Sequence, residues 1–145
     1  MCGSGYNISM SDKTIYELAG GDPPFRRLVD GFYARVEQDT TLRSMFPDDL
    51  GPGKEHQFLF ITQYFGGPPR YQALRGHPRL RMRHNPFPIG QAARNAWVGH
   101  MLAALEEAGF PEEVKPAMRE YFERAATFMI NHDDQQADYR IDLRG

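Results

Sequence analysis

An all-α fold is predicted by three features of the sequence. Apolar residues recur with a helical period over four long segments, glycine and proline pairs punctuate those segments, and no stretch alternates convincingly over the length of a strand. Phe25, Leu28, Val29, Phe32, Tyr33 and Val36 stand at i, i+3, i+4, i+7, i+8 and i+11, along one face of a helix. Asp22-Pro23 opens that helix, the aspartate as N-cap and the proline at the first helical position, where its missing N–H costs nothing.

A short segment from Thr41 to Met45 follows and ends at Phe46-Pro47, because proline steers its predecessor away from helical backbone. Phe46 is therefore expected at a corner. From Lys54 to Phe65 the apolar Phe58, Ile61 and Phe65 share a face, with Gln57 and Tyr64 close by, until Gly66-Gly67-Pro68-Pro69 forces a stop. From Gln91 to Ala108 the residues Ala93, Trp97, Met101, Leu105 and Ala108 keep the spacing, and Gly109 suits a left-handed cap. Pro111 opens a last helix carrying Val114, Met118, Tyr121, Phe122, Ala125, Phe128 and Met129. Arg79 to Arg83 does alternate, but the stretch is too short and too charged to build a sheet.

A chain of 145 residues forms one domain that buries roughly two thirds of its unfolded surface. Hydrophobic content of 41% and charged content of 25% are ordinary for a soluble globular protein. Aromatic content of 12%, with ten phenylalanines, is high enough to line something large and flat. A net charge of −2 lacks the field of a nonspecific nucleic-acid binder, so any basic function must be local. The only cysteine, Cys2, leaves no intrachain disulfide and no cysteine-based zinc site, and fits a reducing, cytoplasmic location. Residues 1–12 lack the apolar core of a targeting peptide, and no run approaches a membrane span. The expected organisation is a flexible N-terminal segment, 1–14, a domain over 15–132, and a polar, flexible tail, 133–145.

"GHPRLRMRHNPFPI" at 76–89 concentrates Arg79, Arg81 and Arg83 beside His77 and His84. As a nucleic-acid patch it needs basic or aromatic company, yet only Arg70 and Arg75 lie near in sequence. As a zinc site it fails on spacing, since the five histidines (His56, His77, His84, His100, His132) show no close His/Cys pairing. The plain reading makes His84 a helix-end residue and the arginines a solvated rim. The remaining reading is a haem slot, which needs one neutral imidazole on a short helix facing an apolar cleft, with cations near enough to neutralise two propionates.

Taken with "AGGDPPFRRLVDGFYARV" at 19–36, "FPDDL" at 46–50, "QYFGGPPRY" at 63–71 and Ala96-Trp97, the segment "GHPRLRMRHNPF" resembles the signature of the truncated haemoglobins, specifically their second group, over about residues 15–132. The resemblance implies a truncated globin fold: a two-over-two sandwich of α-helices around one haem b. It implies that His84 is the axial ligand of the haem iron and that Arg83 holds a propionate. Tyr33 matches the distal tyrosine, and Trp97 the tryptophan that distinguishes the second and third groups. Phe46 matches the corner aromatic that packs on the porphyrin, where many group members have tyrosine. The gate position aligns with Gly53, which leaves the gate open, and Gln57 stands one turn later on the same face. Phe60 and Ile61 continue that face toward the haem, Tyr71 and His56 reach toward the propionates, and Leu80 and Phe87 complete the contact set.

What the family implies for function is the binding of O2, NO, CO or similar diatomic ligands. Three distal donors, Tyr33, Gln57 and Trp97, imply slow oxygen release and redox chemistry such as nitric oxide dioxygenation, with an electron-donating reductase as partner. Peroxidase-like activity is expected to be weak, because Gly53 supplies no acid/base group. The alternative is a reversible oxygen carrier or store, or a ligand sensor. Neither nucleic acid nor membrane is an expected partner.

Overall fold

The computed structural model describes residues 12–84 and 87–134, the side chain of Arg81 excepted. The predicted terminal segments, apart from their inner edges, lie outside the described residues, as do Cys2 and the Asn85-Pro86 stop. In order, the helices are α1 (Ile15–Leu18), α2 (Asp22–Gln38), α3 (Thr40–Arg43), α4 (Gly51–Tyr64), α5 (Arg70–Arg75), α6 (Leu80–His84), α7 (Gln91–Glu107) and, after a 3-10 turn at Glu112–Val114, α8 (Lys115–Phe128). No strand occurs among the described residues. α2 packs on both α4 and α7, and α7 on α8, so two helices lie over two. Phe25, Leu28, Val29, Phe32, Val36, Met101, Leu105, Met118 and Phe122 fill the space between the layers. Full burial of such a side chain contributes about 1.5–3 kcal/mol.

The structure departs from the sequence expectation in several places, among them the last helix, which begins at Lys115 after the 3-10 turn rather than at Pro111. Gly21, at φ 95°, is the N-cap of α2, and Asp22 moves inside because its carboxylate is engaged elsewhere. α4 begins at Gly51, with Pro52 in its first turn. Arg79 to Arg83, read as an alternating stretch, runs into the short helix α6. Phe128, on the predicted apolar face of the last helix, is 59% exposed because α8 runs past the core at that end.

Of the paired glycines in the two signature segments, Gly20 and Gly21 are set by positive φ, at 88° and 95°, whereas Gly66 and Gly67 have a steric reason. Gly66 lies at φ +99°, and a Cβ there would collide with Thr14, while one at Gly67 would press on Tyr16 and the Thr62 carbonyl. This close approach lets the Tyr16 N–H donate to the Phe65 carbonyl (2.9 Å). The Tyr16 hydroxyl donates to Asp22 (2.7 Å), and Arg70 grips the same carboxylate with both terminal nitrogens, at 3.0 and 2.8 Å. "GGDPPF" and "FGGPPRY" are thus two halves of one junction that fixes the start of α2 against the end of α4.

The Arg70 guanidinium, opposed by partial desolvation and aided by the Tyr16 hydroxyl, holds the Asp22 carboxyl below its ordinary range. A carboxylate with a depressed folded-state pKa stabilises the fold above its unfolded pKa of about 3.9, and that contribution is lost as pH falls through the folded value. The two side chains are 36% and 40% exposed, so solvent screening limits the pair to about 1 kcal/mol. Arg70→Met should therefore lower stability by about 1 kcal/mol at neutral pH, and urea denaturation should show the gap to wild type closing in acid. A gap that persists in acid would place the effect in packing of the guanidinium on the Phe58 ring, 5.4 Å away. No helix among the described residues is long and apolar enough to cross a membrane.

Candidate functional site

Helix α6 presents Leu80 and His84 on one face, since i and i+4 lie above one another. His84 Nδ1 stands 2.7 Å from the Leu80 carbonyl. A carbonyl only accepts, so Nδ1 carries the proton and the lone pair is left on Nε2, the tautomer that a metal requires. α6 starts from Arg79, a non-glycine residue at φ 49°, whose N–H donates to His77 Nδ1 at 3.2 Å. Such backbone costs of order 1–3 kcal/mol and persists only where the surroundings enforce it.

Arg83 spends its Nε on the Pro78 carbonyl (2.7 Å), bracing the loop before α6, and its terminal nitrogens have no further partner among the described residues. Arg75 donates to His56 Nδ1 at 2.8 Å. Partial desolvation, then the charges of Arg75 and Arg83, lower the His56 pKa, which suits an imidazole that accepts from a guanidinium. α4, α5 and α6 thereby gather Arg75, Arg83 and His56, with no ion pair to either arginine among the described residues. Nearby, Tyr71 is buried with its ring edge-on to Phe60, centroids 5.4 Å apart. Arg83→Ala should speed transfer of haem to an apoglobin acceptor about fivefold, the equivalent of about 1 kcal/mol. An unchanged rate would leave Arg83 with its loop-bracing role alone.

On the other side, Tyr33 projects from α2 with its ring edge-on to Phe32 and Phe46, at 5.3 and 5.8 Å. Its hydroxyl makes no hydrogen bond among the described residues, and burial pushes its pKa up to about 12, so it stays a neutral donor. A Cβ at Gly53 would stand 3.2 Å from that hydroxyl. The room left by the missing side chain on α4 is thus taken by a hydroxyl from α2, a relation that the open-gate expectation did not include.

Gln57 lies one turn along α4, and its Oε1 is buried without a hydrogen-bond partner. An orphaned buried polar atom costs about 1–3 kcal/mol, and native sites keep one where something else is to meet it. Trp97, half-buried on α7, packs on Phe32 and Phe122 (5.4 and 6.1 Å), and its indole N–H has no partner among the described residues. Tyr33 and Trp97 therefore share Phe32 as a common wall. Ile61 is buried in the core, Phe60 and Leu80 are half-buried, and Phe87 is 40% exposed, the least enclosed of the predicted contact residues.

This set of residues fits a haem on chemical grounds. The Leu80 bond engages His84 Nδ1 and leaves Nε2 available, Tyr33, Gln57 and Trp97 carry polar groups with no partner among the described residues, and Arg75 and Arg83 have no carboxylate partner among them. Sequence reasoning missed Arg75, for which only general basicity was noted, and Asn131. The latter bonds to backbone groups of the segment after α6, and backbone partners leave no mark in residue spacing.

Residues 14–131 match the bacterial-like globin family. A group 2 truncated hemoglobin of Bacillus subtilis is 38% identical over 129 residues, covering 89% of this chain and 97% of the relative. Among solved structures, a hemoglobin from Chloroflexus aurantiacus is 62% identical, with a TM-score of 0.81 over 83% of this chain and 99% of that one. A truncated oxygen-avid haemoglobin from Bacillus subtilis is 39% identical, with a TM-score of 0.78 over 82% of this chain and 100% of that one. With its helices two over two and a family match over residues 14–131, the chain belongs to the globins, as a group II truncated haemoglobin.

Proposed function

We propose that residues 15–132 bind one haem b and hold dioxygen and related diatomic ligands, NO and CO among them, with slow release. In this reading the protein converts nitric oxide to nitrate in a reducing, cytoplasmic setting. The haem, when bound, supplies an iron that takes a diatomic ligand and exchanges electrons. His84 Nε2 would hold that iron, Arg83, Arg75, His56 and Tyr71 would meet the propionates, and Phe46, Phe60, Ile61, Leu80 and Phe87 would pack on the porphyrin. One observation carries the reading: the hydroxyl of the buried Tyr33, which approaches α4 at Gly53, has no hydrogen-bond partner among the described residues, and neither has Oε1 of Gln57 one turn further along that helix. The Gln57 amide offers N–H donors at its other atom, and the hydroxyl and the indole N–H of Trp97 add two more.

A donor aimed at a ligand that has drawn electron density from iron forms a charge-assisted bond, worth about 1.5–3 kcal/mol. Retention of this kind suits chemistry better than delivery, and a solved relative is described as oxygen-avid. Peroxide cleavage asks for an acid/base group at the gate, and Gly53 has none. Nitric oxide dioxygenation asks for less: nitric oxide, dioxygen and one electron give nitrate, and the electron comes from a reductase.

The test is turnover of nitric oxide by the haem-loaded protein under a regenerating one-electron reductant. The expected result is one dioxygen consumed and one nitrate formed per nitric oxide. No turnover, together with fast oxygen release, would support a carrier or store instead.

A further inference from the structure

The residue after the end of α8 that holds the proximal segment is Asn131. Its N–H donates to the Ile89 carbonyl (2.8 Å), its Oδ1 accepts from the Ile89 N–H (2.9 Å), and its Nδ2 donates to the His84 carbonyl (3.3 Å). One side chain and its own backbone thus grip both ends of the segment 84–89, which leads from α6 into α7. A carboxamide suits this, since it carries a donor and an acceptor on separate atoms of one short side chain. Next to this contact, Asp134 accepts from the Ala92 N–H (2.9 Å), and a Cβ at Gly90 would collide with its carboxylate.

α6 needs such support from outside. A helix of five residues barely passes nucleation, and this one begins from the left-handed backbone of Arg79. The Leu80 carbonyl fixes the proton on the His84 ring, but Leu80 belongs to the same short helix and moves with it. The His84 carbonyl, by contrast, is tied to the end of α8, a long helix whose Met118 and Phe122 are packed in the core.

We infer that Asn131 is a positioning residue for the proximal histidine, holding the His84 backbone against α8 so that its imidazole meets the iron at a fixed depth and tilt. The inference rests on the haem reading above. It predicts that loosening Asn131 changes the His84–iron bond rather than only the stability of the fold.

Two variants of the haem-loaded protein test it. Asn131→Asp keeps the acceptor for the Ile89 N–H and removes the donor to His84, whereas Asn131→Ala removes both. Thr127→Ala is the control, because it loosens α8 by removing the acceptor for Arg94 without touching segment 84–89. Resonance Raman spectra of the ferrous, ligand-free protein read the iron–histidine stretch. A wild type with no such band would sink the haem reading itself. Given the band, both Asn131 variants should shift or broaden it and release haem about 2- to 10-fold faster, the fold-change of one ordinary hydrogen bond, while the control leaves it in place. Asn131→Asp carries the test if the alanine variant fails to fold. A band and a haem-loss rate equal to wild type in Asn131→Asp, or the same shift in Thr127→Ala, would overturn the inference.

Discussion

Replacing His84 with alanine should leave a folded chain that has lost its haem or the normal axial ligation of it. The fold survives because His84 is only half-buried, stands outside the main core cluster and gives up a single ring hydrogen bond, to Leu80. The cofactor is lost because the axial ligand is gone and three of the other histidines are already engaged. His56 is engaged by Arg75, His77 accepts from the Arg79 N–H, and His100 pairs with Asp39 at 2.8 Å. Removing an outer-shell partner of a metal ligand costs about 10- to 100-fold in affinity, and removing the ligand itself should cost more. Visible spectra of the ferrous protein and haem transfer to an apoglobin measure both effects. An unchanged spectrum with unchanged affinity would show the proximal assignment to be wrong.

The second large effect lies on the distal side, where single changes should speed oxygen dissociation about tenfold or more, the equivalent of about 1.5–3 kcal/mol. Tyr33→Phe deletes a hydroxyl that has no partner among the described residues, so none of these is left unsatisfied and the ligand contact is lost. Trp97→Phe keeps an aromatic filler against Phe32 and Phe122 and removes the indole N–H. Gln57→Leu removes the amide N–H donors, so it should speed release, and it removes the orphaned Oε1 as well, so it should leave stability unchanged or raised. Both rings touch Phe32, so the Tyr33→Phe/Trp97→Phe pair need not multiply. Stopped-flow displacement of oxygen by carbon monoxide gives the rates. Values equal to wild type in the singles and in the double variant would return the protein to the carrier reading.

The long helices were legible because their apolar faces are, and Gly109 lies at φ +87° as a cap glycine should. α6 was not legible, because five residues make little more than one turn and its alternation of charged and apolar side chains mimics a strand. Its last carbonyl is bonded from outside the helix by Asn131, a contact no residue pattern reveals. The N-cap of α2 was misplaced by one residue because the pattern cannot reveal that Arg70, distant in sequence, claims the Asp22 carboxylate. Within the site, the residue types were readable from the signature segments. Two relations were not: the Tyr33 hydroxyl filling the space at Gly53, and Arg83 bonding to Pro78, since each depends on how separate segments meet in space.

Titration of the purified chain with haemin, followed by visible absorption, tests most directly the claim that this fold exists to hold a haem. The predicted result is a saturable spectrum with its end point at one haem per chain, and a ferrous form that binds carbon monoxide. The absence of a saturable transition, or an end point far from one per chain, would contradict it.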